Sequence, residues 1–275
     1  MNRILAESIS LVKDKLGSRI KDITVERAVL GLFFTGVKLS TGHGGLSFTP
    51  VKEMPEAVCC PSSAKAMPLS GKLNQQPVTR YLDDLASDNL LRKSLGIAAL
   101  NALSMAIWAE EASDDYETIY AADAFDEVDV KDYRKTVVVG ALVPMLRKLI
   151  KEDADFKVLE QDVRTLKGKE LDHYAPAADA PLYVAEADLL VVTGVTVLND
   201  SIDQLLDLAK EGAEIIVTGP TASMLPDTFF ARGVSILGGI QVTKADPLLD
   251  LISQGGSGYH FYGKYAEKTV IRKRA

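Results

Sequence analysis

Cysteine is almost missing from this chain: among 275 residues there are two, Cys59 and Cys60, side by side. Two cysteines build no disulfide framework, which fits a reducing compartment. Adjacent thiols also lack the gap that lets a pair share a zinc ion. Neither is expected in a disulfide or a closed zinc site. Histidine is scarce as well: His43, His173 and His260 are the whole set, and no two stand at a metal-ligand spacing. A local zinc motif is therefore excluded, while metal ligands assembled from distant residues, and any cofactor, stay undetermined. Long apolar runs are missing too. The longest uncharged apolar stretch of the interior, residues 97–109, is shorter than the roughly 20 residues a membrane helix needs. The opening MNRILAESISLVKDKL carries charges at helical spacing, where a secretory signal needs an unbroken apolar core. A cytoplasmic protein with no membrane partner is expected.

Nor is there a basic surplus. The net charge is −7, and it is uneven: +2 over the first 112 residues and −9 over the rest. An acidic second half disfavours nucleic acid as a partner, because phosphate binding needs a basic stripe. The terminal IRKRA reads as a solvated tail. What remains, 47% apolar and 25% charged residues, is the balance of a folded globular chain.

The first segment reads as a helix, with Leu5, Ile9, Val12, Leu16 and Ile20 on one face, Asn2 as cap and Gly17 as stop. The stretch ITVERAVLGLFFTGVKLSTGHGGLSFTP predicts two or three antiparallel strands, with the GHGG stretch at a turn. Residues 54–77 carry four prolines and read as an irregular loop. LRKSLGIAALNALSMAIWAEE predicts a long helix, apolar nearly all round and so buried. Composition then turns acidic over residues 112–135, and a domain boundary is placed between 112 and 125, dividing the chain into 1–118 and 119–275. Beyond it, apolar runs (KTVVVGA, FKVLEQD, ADLLVVTG, AEIIVTG, VSILGG) alternate with helical patterns. That alternation predicts an α/β fold with a doubly wound parallel sheet.

In such a sheet, ligands bind outside the carboxyl ends of the strands. Four loops are selected. Gly140, with Pro144 opening the next helix, forms a strand–glycine–helix turn without the G-x-G-x-x-G fingerprint of nicotinamide dehydrogenases. Glu160 stands twenty residues later, where nucleotide-binding folds place a ribose-binding acid, with Asp162 as its neighbouring alternative. Thr193, Gly194 and Thr196 put hydroxyls and open backbone at a third tip, and Asn199 or Asp200 can cap the next helix. Gly219, Pro220, Thr221 and Ser223 form the fourth, whose amides and hydroxyls suit an anion. In the first half, Gly42, His43 and Gly44 form the most chemical-looking turn, with His43 the candidate for moving a proton. Asn101 is an amide on an otherwise apolar helix and needs partners there.

Taken in order, FTGVKLSTGHGG, GIAALNAL, VVVGALVPMLRKL, VTGVTVLNDSIDQLLDL and VTGPTASMLPDTFFARGVSILGG resemble the bacterial and archaeal putative heavy-metal chelation family, a domain of unknown function. The resemblance spans nearly the whole chain. It implies an enolase-N-terminal-like α+β domain followed by a Rossmann-like domain partly similar to methyltransferases, with the site in the cleft between them. It further implies a pterin-, flavin- or siderophore-like ligand linked to heavy-metal handling. By resemblance, Gly42, Gly44, Asn101, Gly140, Pro144, Thr193, Asn199, Gly219, Pro220 and Thr221 carry over as motif positions. Three functions are weighed: an enzyme acting on such a small molecule, a non-catalytic binder of a metal or metal chelate, and an S-adenosylmethionine-dependent methyltransferase using Glu160. A homodimer is kept open as the oligomeric partner. The first domain is expected to cover the carboxyl edge of the sheet, through the Gly42–Gly45 turn or the Asn101 helix.

Overall fold

The computed structural model describes residues 1–53, 69–111 and 113–274. Cys59 and Cys60, and most of the proline-bearing loop, lie outside the described residues. Helix α1 (Arg3–Leu16) follows its apolar spacing, with Ile4, Leu5, Val12 and Leu16 buried. Its first turn has amides with no helical acceptor, and Asn2 Oδ1 accepts one of them, from Leu5, at 2.9 Å. Gly17 at φ +54° ends it.

Strands β1 (Thr24–Leu30), β2 (Phe34–Leu39) and β3 (Gly44–Phe48) form an antiparallel meander, and β4 (Gln76–Pro77) pairs on the far side of β1. Helix α2 (Val78–Asp83) leads to α3 (Leu90–Glu110), capped by the Asn89 side chain on the amides of Leu91 and Arg92. Among the described residues, α3 alone is long and apolar enough to cross a membrane, but its most apolar window is 78% buried. Its apolar surface is used as core.

The second half contributes β5 (Tyr116–Tyr120), β6 (Thr136–Val139), α4 (Val143–Lys151), β7 (Phe156–Glu160), β8 (Tyr174–Pro176), α5 (Ala180–Val184), β9 (Leu189–Thr193), α6 (Val195–Leu198), α7 (Ile202–Leu208), β10 (Glu214–Thr218), α8 (Asp227–Phe230), β11 (Ile236–Val242), α9 (Ala245–Ser253), α10 (Gly258–Phe261) and β12 (Ala266–Lys273). They build one sheet in the order β5-β12-β11-β10-β9-β6-β7-β8. From β8 to β11 every pairing is parallel, and β12 and β5 continue the sheet antiparallel. Counted alone, the parallel strands run 3-2-1-4-5-6, the doubly wound order, with its switch point between β6 and β9. The fold is thus of the α/β class, a small α+β part followed by a Rossmann-like sheet. Strand β5 straddles the 118/119 boundary and pairs wholly with β12 in the large sheet.

The two sheets are separate, yet they share a core. Val137, Leu190, Val192 and Val217 on one face of the large sheet belong to the same continuous cluster as Leu5 and Val12 of α1 and Leu95–Leu103 of α3. The opposite face, Val138, Val158, Val191 and Ile216, packs with Met145, Leu146 and Leu149 of α4. The first half therefore supplies much of the helical cover for one side of the second.

Candidate functional site

The first half meets the carboxyl edge of the large sheet after β7, β9, β10 and β11. The β2–β3 turn meets the end of β11, where a methyl added at Gly44 would lie 2.8 Å from Val242 Cγ1. At the end of β3, the Phe48 amide donates to Thr221 Oγ1 at 3.0 Å. Beyond β3, Lys52 reaches Asp162, after β7, at 3.3 Å. Strand β3 in turn lies directly on α3: a methyl at Gly45 would stand 2.1 Å from the Ala98 carbonyl oxygen. Only a glycine allows that approach of backbone to backbone.

Asn101 sits where these elements meet. Its Nδ2 donates to the carbonyls of Leu46 on β3 (2.8 Å), Pro220 (3.1 Å) and Thr221 (3.1 Å). The residue is 1% exposed, and its Oδ1 is buried with no partner. Asn101, Pro220 and Thr221, all selected from sequence, are brought together here, with Gly219 beside them at φ +125°.

The other candidates are used differently. Gly140, at φ +92°, turns tightly under Thr193, whose Cγ2 would lie 2.7 Å from an added methyl. Pro144 stands in the first turn of α4, where a missing amide proton costs nothing. Glu160 Oε2 accepts from the Ala141 amide at 2.9 Å, and Oε1 from those of Gln161 (2.8 Å) and Asp162 (3.2 Å). Oε2 thus ties the loop after β7 to the loop after β6, while Oε1 closes its own loop. Asp162 is held far below the ordinary carboxylate range, chiefly by the Arg164 guanidinium and also by Lys52. Thr196 Oγ1 donates back to the Thr193 carbonyl at 2.7 Å, and Gly194 abuts Ala222. Asn199 is exposed, and its Oδ1 accepts from Ser201 N (3.2 Å) and Ser201 Oγ (2.7 Å). These bonds close the turn before α7.

His43 bonds through Nδ1 with Thr41 Oγ1 at 3.1 Å, and Gly42 beside it is exposed at φ +86°. Their turn lies over the end of β11, three strand positions from β6. At about 4.8 Å per strand that is roughly 14 Å. The structure does not join His43 to Gly140, Glu160 or Thr193.

A slot of about 30 Å³ opens between the halves. Its floor is two cross-strand rows, Leu237–Ile271–Thr118 and Gly239–Thr269–Tyr120. Ser104, Met105 and Trp108 of α3 form the roof, and Ala222 to Leu225 one wall. Its lining is mostly apolar with hydroxyls interspersed, the make-up of small-molecule sites. Most of these residues were not selected from sequence. Ser104, Met105 and Trp108 follow a helical spacing that reads as core, and only the strand order brings β5, β12 and β11 together.

Among the described residues, no group of three or more His, Cys, Asp or Glu side chains could hold a metal ion. The open acidic bowl of Asp126, Glu127, Asp129 and Glu152 also holds Lys131, paired with Glu152, and Lys148, which donates to the Phe125 and Val128 carbonyls.

Against known proteins, the chain is 29% identical over 193 residues to an uncharacterized protein of Methanocaldococcus jannaschii, covering 69% of this chain and 70% of that one. Two solved structures share its fold at 20% identity. One is a protein of unknown function of the DUF364 family from Pyrococcus horikoshii, with a TM-score of 0.76 over 98% of this chain and 99% of that one. The other, from Desulfitobacterium hafniense, is of the same family, with a TM-score of 0.74 over 98% and 100%. The profile of DUF4213, described as putative heavy-metal chelation, matches residues 13–104. That of DUF364, which bears the same description, matches residues 123–271, more than half the chain, and the protein accordingly belongs to this putative heavy-metal chelation family.

Proposed function

We propose that the chain binds a small heterocyclic or chelator-like molecule, of pterin-, flavin- or siderophore-like chemistry, in the slot between α3 and the large sheet. Heavy metal enters this reading as cargo of the chelate. One observation carries it: the slot's walls come from both halves, from α3 on one side and from β5, β11, β12 and the loop after β10 on the other. The lack of a bare-ion cluster among the described residues also favours a metal that arrives already chelated. A single copy of the chain supplies every wall, so the reading needs no second subunit. It assigns retention rather than a reaction, because the candidate acid–base group, His43, is absent from the slot's lining. S-adenosylmethionine at the switch point has less support, since Glu160 already serves three backbone amides.

Trp108 is the only tryptophan of the chain, so its fluorescence reports on the slot alone. Titration with a pterin and with an iron–catecholate chelate should quench it saturably. S-adenosylmethionine should leave it unchanged. Binding of these compounds with no response from Trp108 would move the site elsewhere.

A further inference from the structure

A strand at the rim of a sheet leaves a row of backbone groups unpaired, and folded proteins blunt such rims with proline, lysine, brevity or a cover. The two sheets have four rims, β3, β4, β5 and β8. Strand β8 is three residues long and ends in Pro176, and β4 is two residues long and ends in Pro77. At β3 side chains meet the backbone: Asn101 and Ser94 donate to the carbonyls of Leu46 and Phe48, and Thr221 accepts from the Phe48 amide. Strand β5 has no such device. Its sequence, YETIY, is rich in strand-forming residues. Its one charge, Glu117, is taken up by Arg272 at 2.7 Å.

The ladder fixes which groups of β5 face outward. The Ala121 amide donates to Lys268 O at 2.9 Å, and the Arg274 amide to Asp115 O at 3.0 Å. Bonded pairs recur at every second residue. Glu117 and Ile119 therefore bond to β12, while Tyr116, Thr118 and Tyr120 turn their amides and carbonyls away from the sheet. Exposed Arg274 donates through Nε to the Tyr116 carbonyl at 3.2 Å, which leaves that oxygen its second lone pair. Past Tyr120 the strand stops, because Ala121 stands at φ +56°.

We infer that two copies of the chain pair through β5, antiparallel, about a two-fold axis at Thr118, and so join their large sheets into one. Self-pairing through the outward groups allows few registers. With Thr118 opposite itself, Tyr116 faces Tyr120 of the second copy at both ends, and Glu117 faces Ile119. Every outward amide then has an acceptor, and no like charges meet. A shift toward the start of the strand sets Glu117 against Glu117, which is destabilising, and leaves Tyr120 unpaired. A shift toward its end leaves Tyr116 unpaired. The axis also lies at the slot. Tyr116 stacks on Trp108 at 6.2 Å, and Thr118 and Tyr120 are the outermost floor residues. Pairing extends each floor with Tyr116 and Thr118 of the second copy. The inference holds whatever the slot binds.

Light scattering on the intact chain, with no ligand added, should give twice 29.7 kDa, falling toward one copy on dilution. Thr118→Pro removes an amide proton used only across the axis, at a place where an edge strand accepts proline. It should keep the wild-type circular dichroism and give the mass of one copy where the wild type is paired. If proline disturbs the fold, Tyr120→Lys decides: a charge on this half-exposed rim residue should weaken association about tenfold. In hydrogen exchange the amides of Tyr116, Thr118 and Tyr120 should slow together on association. A wild-type chain of one copy at every concentration overturns the inference, and so does pairing unchanged in a folded Thr118→Pro or in Tyr120→Lys. A Tyr116 or Tyr120 amide that stays fast in the dimer overturns the axis at Thr118.

Discussion

The tetrapeptide T-G-x-T occurs twice at strand ends of the large sheet, as Thr193–Thr196 after β9 and as Thr218–Thr221 after β10, and the two copies do different work. In the first, Gly194 is helical at φ −58°, and Thr196 folds its hydroxyl back on the Thr193 carbonyl. The motif closes on itself. In the second, Pro220 follows a glycine at φ +125°, the chain is held open, and Thr221 accepts from Phe48 of the other sheet. The difference shows that a hydroxyl at a strand tip is no evidence for a ligand until its partners are known. It also puts the hydroxyl that bridges to the other sheet at the second copy, next to the slot.

Forcing the seam between the halves apart has the largest expected effect. Gly45→Val must push β3 off α3, since even a methyl would overlap the Ala98 carbonyl. A loss of about 3 kcal/mol or more is expected, in the upper range of overpacking, seen as a lowered urea midpoint or as insoluble protein. The two threonines differ in their expected cost. Thr221→Val strands the Phe48 amide and should cost about 1–3 kcal/mol, the penalty of a buried unpaired donor. Thr196→Val removes only a local back-bond and should cost less than about 1 kcal/mol. Equal losses in urea titrations would erase the distinction drawn between the two copies. Asn199→Ala should cost about 1 kcal/mol as a lost turn cap, with probe binding at Trp108 unchanged; lost binding would return Asn199 to the site.

The mildest effect concerns acid. Asp200, at φ +64°, receives the Lys93 ammonium at 2.6 Å and the Asn2 amides. Burial raises its carboxyl, but Lys93 and Asn2 outweigh burial and hold it below the ordinary value. Its contribution is complete above the ordinary carboxylate pKa and is lost as pH falls through the depressed one. Asparagine tolerates the same backbone, so Asp200→Asn isolates the charge. The gap between wild type and variant in urea midpoint should narrow from neutral pH to about pH 3. A constant gap would mean that the carboxylate does not anchor Lys93.

Much of the fold was legible from local pattern. The spacing of Leu5, Val12 and Leu16, with Asn2 before and Gly17 after, specifies α1 outright. The buried runs TVVV and LLVV read as parallel strands because both of their faces are covered. Strand β5 was hidden, since YETIY lies in an acidic stretch and forms an edge, so only its pairing with β12 marks it as a strand. Short β8 was hidden likewise. Asn101 could be picked out because a carboxamide on an apolar helix must be satisfied, and the seam satisfies its nitrogen. Trp108 and Tyr120 could not: nothing near them in sequence says that Thr269 and Gly239 will lie in the same row.

Because one carboxamide donates to carbonyls of both halves, the two halves are not interchangeable parts. A chimera joining residues 13–104 of one relative to residues 123–271 of another would set β3 and the loop after β10, each shaped for a different partner, against the same asparagine. Exchange is expected to be tolerated best when residues 45–48, 101 and 219–223 come from one parent, because the Phe48–Thr221 and Asn101 bonds span this joint.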